Sequence, residues 1–438
     1  MSDSDSNDVT HRKTGGRSVL ERALSSQSRS LTANDHRVLN ALINNGPMDR
    51  PALAADVGIS RPAMLDLVKR LVSEGLIRSV GESETVRPGP NSVLYAVRHD
   101  LAITAGIELH PSSAEALIAY FDGTVIGQAS IRDEGYKEPV ELIRRVLELA
   151  LVDTQRSIAD LSSVVIATPG VVSPHGDMSF VWGQPAWKEG QLERIETALG
   201  VPIRLENDLN LAAVAEHRLG VAQQIVNFAV INCGEGMGAS LMLGSELVRG
   251  LNGAAGEIGY LPSMVSPFTA AEIPHDSKTV SPDKAAGCPQ NSSYSEDFQS
   301  FAGISTLTML LHEMGVPHAD PVEFLATEQN SPVYEKFAQE VARRIAVGIT
   351  AVCAVVDPGF IVLTGVIARA GGDSLLRLLR SHMAKNLPFP PEIVLSELRE
   401  RAVVNGALIT ALDTVRAEIF GVDQKSPLQK RRSYHLGA

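Results

Sequence analysis

The feature that most constrains this chain is an order of elements that occurs twice. From Leu101 the apolar pattern reads as strands over Leu101–Leu109, Glu115–Phe121 and Thr124–Ile131, with Asp122-Gly123 as a hairpin turn. A helix over Val140–Leu151 and a buried strand over Ser163–Ala167 follow. A second cycle begins near Ile225, with strands at Asn227–Cys233, Ala239–Leu243 and Glu246–Arg249. It continues with a long helix from about Tyr334 to Val356, a strand at Phe360–Thr364 and a last helix from about Val403 to Ile419. Two similar sheet-plus-helix cycles imply two related α/β lobes with a cleft between them. A Ser/Pro-rich polar run at 263–300 interrupts the second cycle and reads as a mobile insert, being long for a loop in a compact lobe.

Between the cycles, the apolar run Val201–Leu205 reads as a strand that ends in Glu206, Asn207 and Asp208. A helical pattern follows and stops at Gly220. Polar side chains at the carboxyl end of a strand are where α/β proteins place ligand contacts. Asp and Asn together accept from and donate to hydroxyls, which suits a sugar. Both are also preferred helix N-caps, so simple capping is the competing reading.

The chain ahead of the lobes has a different character. Residues 1–30 are polar and Ser-rich and read as a flexible arm. Over 31–98 the spacing predicts three short helices. The first is capped by Thr32 or Asn34, buries Val38, Leu39, Leu42 and Ile43, and ends at Asn45-Gly46. The second is capped by Asp49, with Pro51 in its first turn, and stops at Gly58. The third runs from Ser60 to about Glu74, with Met64, Leu67, Val68 and Leu71 inward. Residues 78–97 read as a hairpin with its tip at Arg87-Pro-Gly-Pro90. Three helices and a β-ribbon make a winged helix-turn-helix, whose second motif helix enters the major groove. Its early residues Ser60, Arg61, Pro62 and Ala63 and its outer positions Asp66, Lys69 and Arg70 form the candidate reading face. Arg61 is the candidate for a guanine edge, and Lys69 and Arg70 for phosphates. Asp66 either accepts from cytosine or repels phosphate, and Arg78 and Arg87 would let the wing touch DNA. A protein-interaction module is the competing reading.

Charge supports the division. Residues 9–98 carry 13 Lys/Arg against 8 Asp/Glu, whereas 99–438 carry 26 against 40 in a chain of net charge −12. A basic segment on an acidic body fits a nucleic-acid module joined to something else. The three cysteines, Cys233, Cys288 and Cys353, are far apart, which argues against a disulfide framework and for a reducing compartment. Cys233 and Cys353 lie in apolar runs and read as core thiols. No run has the length of a membrane-spanning helix, and the polar N-terminus does not read as a secretory signal, so the expected location is the cytoplasm.

Several motifs then occur in order: Ala167-Thr-Pro-Gly-Val-Val172, Glu206-Asn-Asp208, Gly234-x-Gly-x-Gly238, Gly253-Ala-Ala-Gly-Glu-Ile-Gly259, Asp357-Pro-x-x-Ile361 and Gly406-Ala407. With the winged helix, they resemble the ROK family of sugar-responsive repressors and sugar kinases, over about residues 30–420. The resemblance implies a winged helix-turn-helix followed by a two-lobed, actin-like (ribonuclease H-like) sugar-kinase fold. The implied lobes are 99–222 with the C-terminal helix 402–421, and 223–401. It implies ligand positions at Gly170, Asn207, Asp208, Glu257, Tyr260 and Gln290, with Asp208 in the place of the kinases' general base.

The departures from the family pattern carry their own expectation. The first phosphate loop, Asp-x-Gly-Gly-Thr-Lys in the kinases, reads Glu108-Leu-His-Pro-Ser-Ser113 here. His110 and Pro111 would obstruct the backbone approach a phosphate needs. Glu235 replaces the usual Thr of the second loop, and Gly365-Val366 replaces a Gly-Gly. ATP phosphotransfer is therefore expected to be lost, with no catalytic residue and no cofactor. The family zinc site is expected to be lost too: of its His and three cysteines only Cys288 survives, with Tyr260 in the place of the His, while Gln290 stands where the family has a sugar-contacting Glu. The resulting expectation is a repressor that binds operator DNA as a homodimer or tetramer and responds to a sugar or sugar-phosphate effector. A sugar kinase with a regulatory domain and a ligand-blind regulator controlled by a protein partner are the alternatives.

Overall fold

The computed structural model describes residues 31–82, 92–110, 113–132, 138–172, 178–180, 190–234, 236–262, 297–398 and 401–420. The expectations for the arm 1–30, Arg87, Pro111, Ser112, Glu235, Cys288 and Gln290 lie outside these residues. The chain divides into two compact units. The first takes in the chain up to Ile103, the turn Tyr120–Thr124 and the end of the last helix from Arg416; the second holds the rest of the two cycles, including that helix up to Val415.

The first unit contains α1 (Ala33–Asn45), β1 (Met48–Asp49), α2 (Arg50–Val57), α3 (Arg61–Ser73), β2 (Ile77–Glu82) and β3 (Val93–Val97). Thr32, not Asn34, starts α1. Its backbone N–H donates to Asp35 Oδ2 at 2.7 Å, and the Asp35 N–H donates back to Thr32 Oγ1 at 3.3 Å. Asp49 caps α2 by accepting from the Ala52 N–H at 2.8 Å. At the other end Gly58 turns the chain with φ 71°, a backbone that suits glycine. Ser60 caps α3 in the same way as Asp49 caps α2. Leu39, Leu53, Met64 and Leu71 are fully enclosed and hold the three helices together. The wing is a three-stranded sheet in the order β1-β3-β2, because Met48 and Asp49 add an edge strand opposite Tyr95 and Leu94 that the sequence did not reveal. The remaining core of this unit includes Leu76, Ile77, Val97, Leu101 and an aromatic pair. Phe121, with no exposed surface, packs edge-to-face on Phe420 at 5.4 Å and donates its N–H to the His99 carbonyl at 3.0 Å.

The second unit contains β4 (Ile103–His110), β5 (Ser113–Tyr120), β6 (Val125–Arg132), α4 (Pro139–Leu151), β7 (Ser163–Thr168), β8 (Val171–Val172), β9 (Met178–Phe180), α5 (Gln191–Leu199) and β10 (Ile203–Asn207). After these come α6 (Asp208–Arg218), β11 (Phe228–Cys233), β12 (Met237–Leu243), β13 (Glu246–Val248), α7 (Phe298–Ala302), α8 (Ile304–Glu313) and α9 (Pro321–Thr327). The chain closes with α10 (Tyr334–Val356), β14 (Phe360–Thr364), α11 (Val366–Asn386), β15 (Glu392–Leu395) and α12 (Ala402–Phe420).

Two five-stranded sheets carry the fold, ordered β10-β7-β4-β5-β6 and β13-β12-β11-β14-β15. In the first, β10, β7 and β4 are parallel and β5–β6 form a hairpin; in the second, β11, β14 and β15 are parallel and β12 and β13 run antiparallel. The repeat of order seen in the sequence is thus a repeat of topology. Helix α6 lies between the sheets. Leu211 packs with Val165 and Ala167 of β7 and with Ala407 and Ala411 of α12, while Ala213 packs with Phe228 and Val230 of β11. Gly406 permits this closeness: a Cβ there would lie 1.9 Å from the Leu211 carbonyl oxygen.

Several elements went unread in the sequence, namely α5, α7, α8, α9, α11 and β15. Helix α11 carries Gly371-Gly372 in its first half and bends at Gly372, with φ 49° and ψ −143°, which disguised it. The polar insert expected over 263–300 needs correction at its end. Asp297 bridges to Pro262 and caps α7, and Phe298 enters the core with 1% of its surface exposed. Cys353, expected in the core, is only half-buried, whereas Cys233 is fully buried.

Candidate ligand site and nucleic-acid interface

The parallel strands of the first sheet deliver their polar ends to one place. In register, Glu108 of β4 lies opposite Ala167 of β7, which lies opposite Glu206 of β10; one step on, Thr168 lies opposite Asn207. The strand expected at Val201–Leu205 runs instead from Ile203 to Asn207, so Glu206 and Asn207 belong to the sheet and Asp208 opens α6.

Asn207 both caps and faces the site. Its Oδ1 accepts from the Asn210 N–H at 2.9 Å, and its Nδ2 donates to the Gly170 carbonyl at 3.0 Å. The Gly170 backbone, with φ 111°, brings that carbonyl within reach. Glu206 is 2% exposed and holds Arg249 at 2.7 Å through Oε2, while its Oε1 accepts from Asn210 Nδ2 at 3.0 Å. Asn210 Oδ1 in turn accepts from the buried Ser240 hydroxyl at 2.8 Å. This chain of contacts joins β10 and α6 to β12 and the loop after β13. Nothing in the spacing of Asn210, Ser240 and Arg249 announced it.

Asp208 is the most perturbed acid of the group. Burial pushes its carboxyl up to about 6; the Leu209 N–H, at 2.7 Å from Oδ1, opposes this, and the charges of Glu108 and Glu257 add to the rise. Glu257 is raised by burial as well. It is presented by the turn at Gly256, where φ is +90° and a Cβ would lie 1.9 Å from the Ala239 carbonyl oxygen, so that only glycine fits. His110 Nε2 lies 3.0 Å from Glu108 Oε1. Tyr260 ends a short 3-10 turn, Ile258–Tyr260, and is 55% exposed. Two carboxyls that burial makes weaker acids, together with an amide, suit hydrogen bonding to hydroxyls, each able to accept from them. Where the resemblance implies a zinc-binding imidazole, Tyr260 offers a phenol.

On the first unit, Ser60, Arg61, Pro62, Ala63, Asp66 and Lys69 all lie exposed on α3. Arg70 has an intramolecular partner: its guanidinium pairs with Asp35, which is 1% exposed, and ties α3 to α1. The phosphate role expected of Arg70 thus meets a competitor that Lys69 does not have. Arg78 on β2 is exposed and bonded to His99 Nδ1 at 3.0 Å. Arg87 and Gln290 lie outside the described residues.

The family model described as ROK family matches residues 105–414. The chain belongs to the ROK family. A second family model, winged helix-turn-helix DNA-binding, matches residues 31–78 of this ROK chain. Among relatives, a putative xylose repressor of Caldicellulosiruptor sp. (strain Rt8B.4) is 23% identical over 399 residues, covering 87% of this chain and 95% of that one. The DNA-binding transcriptional dual regulator NagC of Escherichia coli (strain K12) is 24% identical over 238 residues, covering 52% and 57%. Among solved structures, a ROK family transcriptional regulator described as a homolog of the E. coli MLC protein superposes with a TM-score of 0.63 at 18% identity, covering 92% of this chain and all of that one. A ROK hexokinase from Thermus thermophilus gives 0.56 at 23% identity, with 72% of this chain and 99% of that one covered. The two-lobed fold is thus shared with the family's kinases, and the added winged module is shared with its regulators.

Proposed function

We propose that this ROK protein is a cytoplasmic repressor of carbohydrate metabolism whose operator binding responds to a sugar or sugar derivative held by Gly170, Asn207, Asp208, Glu257, Tyr260 and Gln290. The observation that carries the reading is the presence, on one chain, of an exposed cationic α3 face and a half-buried Asn207–Asp208–Glu257 group whose two carboxyls are raised by burial. Arg61 reads base edges, Lys69 meets phosphate, and Arg78 and Arg87 serve the wing. The protein acts as a homodimer on a symmetric operator, since two-fold operators pair with two-fold proteins. Occupancy of the ligand site changes operator affinity, with a sign set by which state the ligand binds better. His110, standing where the family's kinases have glycine and bonded to Glu108, supports loss of phosphotransfer.

The test combines a thermal-shift screen of sugars with a gel-shift assay on genomic fragments. A ligand that binds only the native state raises the melting temperature and, at the same concentrations, alters retention of the bound fragment. ATP-coupled turnover of any sugar, abolished by Asp208→Asn, would replace this reading with that of a kinase.

A further inference from the structure

The cations of the winged module are not equally placed to meet DNA. Arg70 pairs with Asp35, Arg78 is bonded to His99 Nδ1 at 3.0 Å, and Arg98 is held by Asp100 at 2.6 Å. A guanidinium bonded inside the module must leave its partner behind to reach a phosphate, which costs free energy. Arg37, on α1, is exposed and stands elsewhere. The pattern of α1 marks its buried and capping positions, and Arg37 is neither.

The place of Arg37 is fixed by the turn between α2 and α3. A Cβ on Gly58 would lie 3.9 Å from Arg37 Nη2, an ordinary van der Waals distance, so the guanidinium rests against that turn. Gly58, Ser60 and Arg61 are all exposed there. Asp35 and Arg37 point to roughly opposite sides of α1, about 200° apart at 100° per residue. Asp35 meets Arg70 near the carboxyl end of α3, and Arg37 reaches the turn ahead of its amino end. In a helix-turn-helix the first motif helix crosses the phosphate backbone, and the amino end of the second enters the major groove. The turn joining them therefore passes the phosphates that border the groove.

We propose that Arg37 is a phosphate-contacting residue of the DNA interface, so that α1, a helix outside the two-helix motif, takes part in the grip. The proposal rests on the DNA-binding reading above and extends its set of contacts. A planar guanidinium suits a phosphate, to which it can donate two parallel hydrogen bonds. Lys69 lies about 12 Å along α3 from Arg61 at 1.5 Å per residue, so Arg37 and Lys69 stand towards opposite ends of the reading helix. The major groove is about 12 Å wide, and the two cations address separate phosphates.

The experiment is a fluorescence-polarisation titration of the full chain with a random-sequence duplex of roughly 30 base pairs, between about 50 and 200 mM salt. Arg37→Gln is expected to weaken binding about five- to tenfold near 0.1 M salt and to lower the slope of log affinity against log salt by about one. Arg37→Lys, which keeps the charge, is expected to keep the slope. Arg37→Gln combined with Lys69→Ala is expected to lower it by about two, because separate phosphates are lost. Melting curves are expected to stay with that of the parent. A slope unmoved by Arg37→Gln overturns the proposal and leaves the DNA-binding reading standing, provided the parent binds the duplex. A lower melting temperature with the slope unmoved overturns it too, and makes Arg37 a structural residue of the turn. If Arg37→Gln does not fold, phenylglyoxal modification of Arg37 in the unaltered chain, read by mass spectrometry, takes its place. The duplex is expected to slow that modification, and an equal rate with and without duplex overturns the proposal. Failure of the unaltered chain to bind any duplex sinks both readings.

Discussion

Arg249 lies with its Nε 2.7 Å from Oε2 of Glu206, and Glu206 is almost wholly buried. The pair spans from the end of β10 to the loop after β13, and so links the two sheets beside Asn207 and Asp208. Removing the guanidinium strands a buried carboxylate. Arg249→Ala is expected to destabilise the chain by about 3 kcal/mol, a typical loss for one partner of a buried pair. The double change Arg249→Met with Glu206→Gln should recover more than half of it. Chemical denaturation of the three proteins measures this, and an unchanged midpoint in Arg249→Ala would show the pair to be inert.

Asp208 makes stability depend on pH. Burial pushes its carboxyl up to about 6 in the folded state, against an ordinary value of 3.8, so the folded state holds a proton over that window that the unfolded chain has released. Stability from this group is full below about 3.8 and falls as pH rises through about 6. Asp208→Asn should therefore raise stability at pH 7.5 by about 1–3 kcal/mol and flatten the pH profile between about 4 and 6. Glu257, also raised by burial, works in the same direction and leaves a smaller residual slope. Melting temperatures of both proteins across that range decide the matter.

Asp35 and Arg70 separate folding from DNA contact on α3. Asp35 completes the Thr32 capping box and also receives Arg70, while Lys69 next door is exposed. Asp35→Ala is expected to cost the winged module about 1–3 kcal/mol, because it removes a cap and an ion-pair partner together. Lys69→Ala should leave the melting curve in place, weaken binding to every DNA sequence and reduce the salt slope by about one. Melting curves and salt-dependent binding of the two variants should therefore show opposite patterns.

Arg61, exposed in the first turn of α3 behind the Ser60 cap, is the expected source of base specificity. Arg61→Ala should lose about 1–3 kcal/mol on the preferred fragment and little on random DNA. Equal losses on both would reassign Arg61 to phosphate contact.

Gly406 sets how closely α12 approaches α6. A Cβ there would meet the Leu211 carbonyl oxygen at 1.9 Å, too near for any adjustment of a side chain to relieve. Gly406→Ala is expected to destabilise by about 1–3 kcal/mol through displacement of the helix. Thermal denaturation of the variant tests it.

Much of the molecule was legible from local pattern. The caps at Thr32, Asp49 and Ser60, the long helix Tyr334–Val356 and the strand Phe360–Thr364 follow from short-range chemistry: a hydroxyl or carboxylate reaching nearby N–H groups, or apolar residues repeating at one period. The polar end of β10 at Glu206-Asn-Asp208 was legible in the same way, and the ordered glycine motifs carried the resemblance to the ROK family. What depended on distant residues was not legible. Glu206 finds Arg249, Asn210 finds Ser240, and Arg70 finds Asp35 only once the chain has folded. The raised carboxyl of Asp208 likewise needs Glu108 and Glu257 brought to it from other strands and turns. The sequence by itself determined which residues cap, bury and repeat, because those depend on neighbours a few positions away. Only the tertiary structure decided which charges meet, because desolvation and Coulomb interaction depend on distance in space, which no spacing along the chain records.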